Sequence, residues 1–563
     1  MSALDAARRV EKTPPETIDD SAHGTESSGE TATKLTFRRF TAFACMACCF
    51  TSAQIPILLL GGIQDIIYAS VGGTDQEDWF DTAYLIAFAA VCPFVGALSD
   101  LLGRRYVALL GCALIILGQV LCVTAHSVNT LIGGMATCGV GASFNELISI
   151  AGAAELAPTF KRGAYIAVLV LAVLPWVPSV LWAQLIAAKY DWRYVGVLAI
   201  AYTSVGLTAT FFVYHPPPRV NSASLSKREA VARIDIIGGL VCTAGIVLLI
   251  AGILCGSYQY PWSSVHVLAP FLGGICLIAF FAFWETSMAK YPMIPRKLGK
   301  APRTLMLVNL ISFVSGANFF SIMMLWPSQA YNMYSHDPVS VGLRSLPFGF
   351  GVMAGCAIML AAMTALRGRG MRILLVASSC VMTAGCGAMA AADRGNENAV
   401  YAILLAAGLG VGGILVPTSV ITTILCPDDV IATAAALTLS IRIVGGAIGY
   451  SVYCNVLARK LAPELAGQIS AAMLDGGIRD PQVIRQAVDL AAASLPQEIL
   501  RLPGVDGNVT LWEAIVSAGQ EAYALAYPWA YYTSIAFGGV SILASAFVQD
   551  ICGLMDEHVA VAI

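Results

Sequence analysis

Charge is what this sequence has least of. Asp, Glu, Lys and Arg make up 12% of its 563 residues, about half the share found in soluble domains. A mean hydropathy of +0.75 accompanies that scarcity. Over this length it excludes a soluble enzyme, and equally a single membrane anchor on a soluble domain. Histidine is scarce too, at six residues, and no paired Cys–His spacing suggests a metal or redox centre. Cys45, Cys48 and Cys49 are close together but lie in an apolar run with no histidine, so they read as packing residues. No cofactor is implied. The phosphate-cradling pattern G-x-x-x-x-G-K-[ST] is missing, which argues against an ATP-driven pump. No basic stripe offers a nucleic-acid footprint. Residues 1–39 lack a short apolar core behind a charged start. They read as a disordered cytoplasmic tail and not as a signal peptide.

Apolar runs of about twenty residues are what the chain does have. Fourteen are expected, at 40–62, 80–98, 106–124, 131–154, 164–187, 194–213, 234–255, 266–285, 304–326, 341–364, 371–392, 399–421, 430–455 and 528–549. Backbone amides in hydrocarbon must be bonded within the chain, so each run reads as a helix. Lys and Arg then orient them. Arg104, Arg105, Lys161, Arg162, the stretches 214–233 and 290–303, and Arg367, Arg369 and Arg372 fall on one side. The short loops on the other side hold Lys189, Arg193 and Arg394. Both termini are therefore expected in the cytoplasm, and the long loop 456–527 outside. That loop carries the chain's N-x-S/T sequon, Asn508-Val-Thr510, a glycosylation candidate.

The segment Gly96-Ala-Leu-Ser-Asp-Leu-Leu-Gly-Arg-Arg105 lies between the second and third runs. It has the form G-x-x-x-D-x-x-G-R-R and resembles the loop between helices 2 and 3 of the major facilitator superfamily. That resemblance implies an all-α membrane protein of two parallel six-helix bundles, working by alternating access. The bundles are expected at 40–213 and 304–549. An inserted helix pair and its linkers fill 214–303, and 550–563 is a cytoplasmic tail. The loop reads as a conformational gate of Gly96, Asp100, Gly103, Arg104 and Arg105. Its expected partners lie in Glu155–Gly163: Glu155 for Arg104 or Arg105, and Lys161 or Arg162 for Asp100.

A closer resemblance runs along helices 4 to 6, through Asn145-Glu-Leu, Ala154-Glu-Leu-Ala-Pro158, Lys161-Arg-Gly-Ala-Tyr165, Pro175-Trp-Val-Pro-Ser-Val-Leu-Trp-Ala-Gln184 and Asp191-Trp-Arg-Tyr194. These strings are similar to the fungal trichothecene efflux pump and siderophore transporter group. Membership implies a plasma-membrane carrier driven by protons, moving toxins or drugs outward or ferric siderophores inward. Two departures stand out. Proton-coupled drug exporters carry a helix 4 arginine in R-x-x-x-G-x-G, and here Met135 takes that place. Helix 5 lacks G-P-x-x-G-G and reads Leu174-Pro175-Trp-Val-Pro178-Ser179.

Polar groups inside the apolar runs are the candidates for function, because charge in hydrocarbon is costly. Glu146 in helix 4, with Asn145 beside it, is the leading proton carrier, and Asp65 at the end of helix 1 the second. Arg442 in helix 13 is expected to hold an anionic group or pair with a carboxylate. Arg344, at the outer end of helix 10, is expected to snorkel. Pro175 and Pro178 should break helix 5, and with Trp176, Trp182 and Gln184 should bend it into an aromatic-walled cavity. The expected function is proton-coupled efflux of a small amphipathic metabolite, toxin or drug by a monomer in the bilayer. Siderophore uptake is the alternative, and a non-transporting sensor is a distant one.

Overall fold

The computed structural model describes residues 37–72, 77–215, 235–256, 260–292, 301–427, 430–506 and 508–554. Of the expected tails at 1–39 and 550–563, residues 1–36 and 555–563 lie outside the described residues, as do 216–234 and 293–300 of the basic stretches. Helix occupies each of the fourteen expected spans. Eleven helices among the described residues are long and apolar enough to cross a membrane.

The first half holds α1 (Phe37–Leu60), α2 (Gln64–Val71), α3 (Glu77–Leu102), α4 (Arg104–Val123), α5 (Val128–Leu156), α6 (Arg162–Leu171), α7 (Ser179–Lys189) and α8 (Arg193–Val213). A pair follows, α9 (Ile236–Cys255) and α10 (Val265–Phe283). The second half holds α11 (Pro302–Met333), α12 (Pro338–Ala365), α13 (Met371–Ala388), α14 (Glu397–Leu425), α15 (Ile431–Asp475), α16 (Pro481–Ala492), α17 (Pro496–Ile499) and α18 (Val509–Ala546).

Local chemistry sets the boundaries. The loop expected at 96–105 shrinks to Gly103, because α3 runs on to Leu102 and α4 starts at Arg104. Gly103 has φ 88° and ψ 149°, a conformation essentially confined to glycine. A single residue there reverses the chain. Helix 1 ends in a 3-10 turn at Gly61–Ile63, and α2 then carries Asp65. Helix 5 is two helices: α6 stops at Leu171, a short 3-10 turn holds Pro175, and Pro178 caps α7. Neither proline can donate to an α-helical ladder.

The larger correction concerns 456–527. It is not an open loop. α15 is 45 residues long, about 68 Å at 1.5 Å per residue, against roughly 30 Å of hydrocarbon. Its far end joins α16, α17 and the start of α18 in a helical cap. Leu465, Ile469, Met473, Val483, Ala487, Ile499, Leu511 and Ile515 are buried there. Asp480 caps α16 by accepting from Gln482 N at 2.9 Å, with Pro481 in the first turn, where a missing N–H costs nothing. Trp512 donates to the Pro496 carbonyl at 2.7 Å and Tyr523 to that of Ala491 at 3.1 Å. Asn508 is exposed, and its side-chain oxygen caps α18.

The halves meet along two seams, α3 against α15 and α6–α7 against α12. Small residues make the first seam close. A methyl at Gly96 would stand 2.8 Å from the Ala436 Cβ. Ser440 donates to the Ala89 carbonyl at 2.7 Å. In the second seam Gly342 faces Leu181 and Gly163 faces Met363. The α9–α10 pair lies outside the first seam. Thr243 donates to the Ala90 carbonyl at 2.9 Å, and Asn455 to that of Ile253 at 3.3 Å. Between the seams is a central cavity.

Candidate transport site

The central cavity has a volume of about 150 Å³ and draws its lining from both halves. Its wall is mostly apolar: Phe50 and Leu58 from α1, Val173 and Val177 beside the helix 5 break, Phe319, Met323 and Trp326 from α11, and Phe348 from α12. Phe319 and Phe348 stack at 6.1 Å with 24° between their planes. Such faces take apolar ring systems by area and quadrupole alike.

One charged pair breaks that wall. Arg442 Nη2 on α15 donates to Glu146 Oε1 on α5 at 2.5 Å, and both side chains are 5% exposed. Gln54 on α1 donates to the other carboxylate oxygen at 2.7 Å, and Arg442 Nη1 donates to the Leu415 carbonyl of α14 at 3.0 Å. Two elements of each half thus converge on one ion pair. Arg442 is held close by a crossing of small residues: a methyl at Gly316 on α11 would stand 2.0 Å from the Arg442 carbonyl oxygen. The pair spans 296 positions of sequence. Glu146, the expected proton carrier, is thus paired with an arginine, and Arg442 takes the carboxylate-pairing option.

Other expected site residues lie elsewhere. Asn145 faces away from the cavity, donating to Ser52 Oγ at 3.2 Å and Cys112 Sγ at 3.3 Å. The aromatic wall is not built from helix 5. Trp182 is 43% exposed and donates to the Pro175 carbonyl at 3.2 Å, and Trp176 packs edge-on to Tyr202 of α8 at 5.2 Å. Gln184 is spent on the Gly62 carbonyl at 2.9 Å. Pro175 and Pro178 are not in the lining either. The break turns Val173 and Val177 inward and carries the tryptophans to the outer side. Asp65 is half-buried on α2, outside the central cavity. Arg344 does more than snorkel. It donates to Glu397 at 2.8 Å, and its guanidinium lies 5.2 Å from the Tyr334 ring centroid.

At the end opposite the cap, Arg104 and Glu155 form a buried ion pair, with Arg104 Nε donating at 3.2 Å and Nη1 reaching Ser99 Oγ at 2.8 Å. This pair joins α4 to α5 within one half. Arg105 donates to the Phe211 carbonyl at 2.6 Å. The side chain of Asp100, and so its expected partnership with Lys161 or Arg162, lies outside the described residues. Lys161 sits 5.2 Å from the Phe160 ring centroid. Arg162, 1% exposed, crosses the seam and donates to the Thr423 carbonyl at the end of α14 at 2.8 Å.

The sequence reading missed Gln54, the α11–α12 aromatics and Asp81. Asp81 is 1% exposed on α3 and accepts from Gln64. Its signal was present, since it is a carboxylate in an apolar run.

Comparison with known proteins decides the family. A family model described as the fungal trichothecene efflux pump matches residues 32–563. The chain belongs to the fungal trichothecene efflux pump family. Within this family, a trichothecene efflux pump of Fusarium sporotrichioides is 25% identical over 511 residues, covering 88% of this chain and 83% of that one. An efflux transporter of Aspergillus flavipes is 27% identical over 470 residues, covering 82% and 78%. Among solved structures, the proton:xylose symporter XylE aligns at TM-score 0.55 and 11% identity, over 91% of this chain and 96% of that one. The human organic anion transporter MFSD10 aligns at TM-score 0.54 and 13% identity, over 91% and 100%. These likenesses show the major facilitator fold. This family member is thus a multi-pass membrane transporter and not an enzyme.

Proposed function

We propose that this protein is a proton-coupled exporter of small, uncharged, amphipathic ring compounds at the fungal plasma membrane. In this reading the chain crosses the membrane fourteen times, with its termini in the cytoplasm and the cap outside. The observation that carries the reading is the buried Glu146–Arg442 pair, set between the halves in an aromatic-walled cavity. With Arg442 already matched to Glu146, the cavity favours neutral substrates over anions. Protonation of Glu146 cancels its charge and releases Arg442 from the other half. That change biases the equilibrium between the two access states, which is what coupling requires. The relatives named for efflux support the outward direction over siderophore uptake.

The test is in yeast expressing the chain, with a radiolabelled trichothecene as the probe. Retained label should fall several-fold below the empty-vector level, and a proton ionophore should restore it. Equal retention with and without the chain, or export indifferent to the ionophore, overturns the proposal. Placement of the cap is read in the same cells. Glycosidase should sharpen the band of the wild type and leave Asn508→Gln unchanged; a wild-type band insensitive to the enzyme counts against an external, glycosylated cap.

A further inference from the structure

A second cavity, of about 140 Å³, lies between the membrane bundle and the cap. Gln64, Ser328, Tyr450, Ala458, Tyr523 and Tyr527 are among its lining. Its tyrosines are ordered. Tyr523 and Tyr527 stack at 6.0 Å with 27° between planes, and Tyr527 and Tyr531 at 6.5 Å with 26°. One polar corner is made by Gln64, which donates to the buried Asp81.

This cavity shares a wall with the central one. Along α11, Met323, Trp326 and Pro327 face the central cavity, while Met324, Leu325 and Ser328 face the second. α11 thus stands between the two cavities, and Pro327 lies inside it. A proline there removes one ladder hydrogen bond and favours a bend. Rotation or bending of α11 at that point would join the two cavities. On its far side, Ser494 and Tyr523 also border a smaller cavity of about 30 Å³ beneath α16 and α17. The three spaces lie in series from the ion pair to the cap.

We infer that the cavity under the cap is a second ligand site, occupied by the exported molecule after it leaves the central cavity. The inference rests on the export reading. The ligand class follows from the lining. Stacked phenol rings offer flat apolar faces, while the second N–H of the Gln64 amide can meet an isolated oxygen. The nearby Asp81 carboxylate opposes an anion. The site takes a neutral, flat or fused-ring molecule carrying carbonyl or hydroxyl oxygens.

Benzophenone, a neutral diaryl ketone, is a suitable photoprobe of that class. The purified full-length protein is irradiated with it, and the adducts are mapped by peptide mass spectrometry. Two sets are expected, one on central-cavity peptides around Phe348 and Met353, the other on peptides holding Tyr523–Tyr527. Ala458→Phe fills the second cavity without touching its polar groups. It should cut the second set at least fivefold and leave the first within twofold. Tyr527→Ala should do the same by removing a ring face. Adducts confined to the central cavity overturn the second site and leave the export reading standing. A second set unchanged in both variants overturns it as well. Labelling of neither cavity overturns the ligand class, and the export reading with it.

Discussion

Arg442→Ala should remove most of the protein from the membrane, and adding Glu146→Gln should bring much of it back. The single change leaves a buried carboxylate without its cation, a loss of about 3–5 kcal/mol. That is a large part of the roughly 5–15 kcal/mol stability of a folded domain. The double change leaves no charge to strand, and Gln54 still finds an acceptor in the amide oxygen that replaces the carboxylate. Abundance measured by fluorescent tag, with thermal unfolding of the purified variants, reads the effect. Proton-driven export should stay lost in the double variant, since nothing titrates between the halves. If Arg442→Ala is as abundant as wild type, or the double variant is worse than the single one, the pair is not a buried, isolated contact between the halves.

The second large effect separates two arginines that sequence alone placed in one gate. Arg104→Ala takes a buried cation from Glu155 within the first half, where both side chains are under 10% exposed. It should behave as a folding defect of about 3–5 kcal/mol, with transport per molecule preserved in whatever protein survives. Arg162→Ala removes a hydrogen bond between halves, from Arg162 to the Thr423 carbonyl. It should leave abundance within about twofold and lower transport per molecule by about tenfold, the equivalent of 1.4 kcal/mol in the balance of access states. Transport normalised to surface protein distinguishes the two. The reverse pattern, with Arg104→Ala abundant but inactive, would restore the gate to Arg104.

How far the site could be read in the sequence follows from the range of each interaction. Glu146 stood out because a carboxylate in an apolar run needs a reason. Arg442 stood out by the same rule, but the pairing of the two did not, because they come from different halves and no local pattern links them. Asp81 obeyed the same rule as Glu146 and was readable. The aromatic wall was misplaced for a geometric reason. Pro175 and Pro178 signal a break, but not which side chains it turns inward. Val173 and Val177 line the cavity, while Trp182 faces out. The cap escaped because its helices hold no twenty-residue apolar run. α16 buries only Val483 and Ala487 among its twelve residues, a one-sided pattern that reads as a polar loop when only membrane spans are sought. The all-helical membrane fold was legible because each apolar span is a local property of about twenty residues.

The central claim is that Glu146 couples proton movement to substrate movement. The most direct measurement is proton flux in liposomes holding the purified protein, with a pH-sensitive dye inside. A radiolabelled trichothecene is added outside with no imposed pH gradient. In wild type, inward movement of the probe should drive protons out and make the interior alkaline. In Glu146→Gln the label should still enter down its own gradient, with no change in internal pH. Alkalinisation by the Gln variant at the wild-type rate per molecule transported would contradict the account and move the coupling site elsewhere, with Asp65 and Asp81 the carboxylates to examine next.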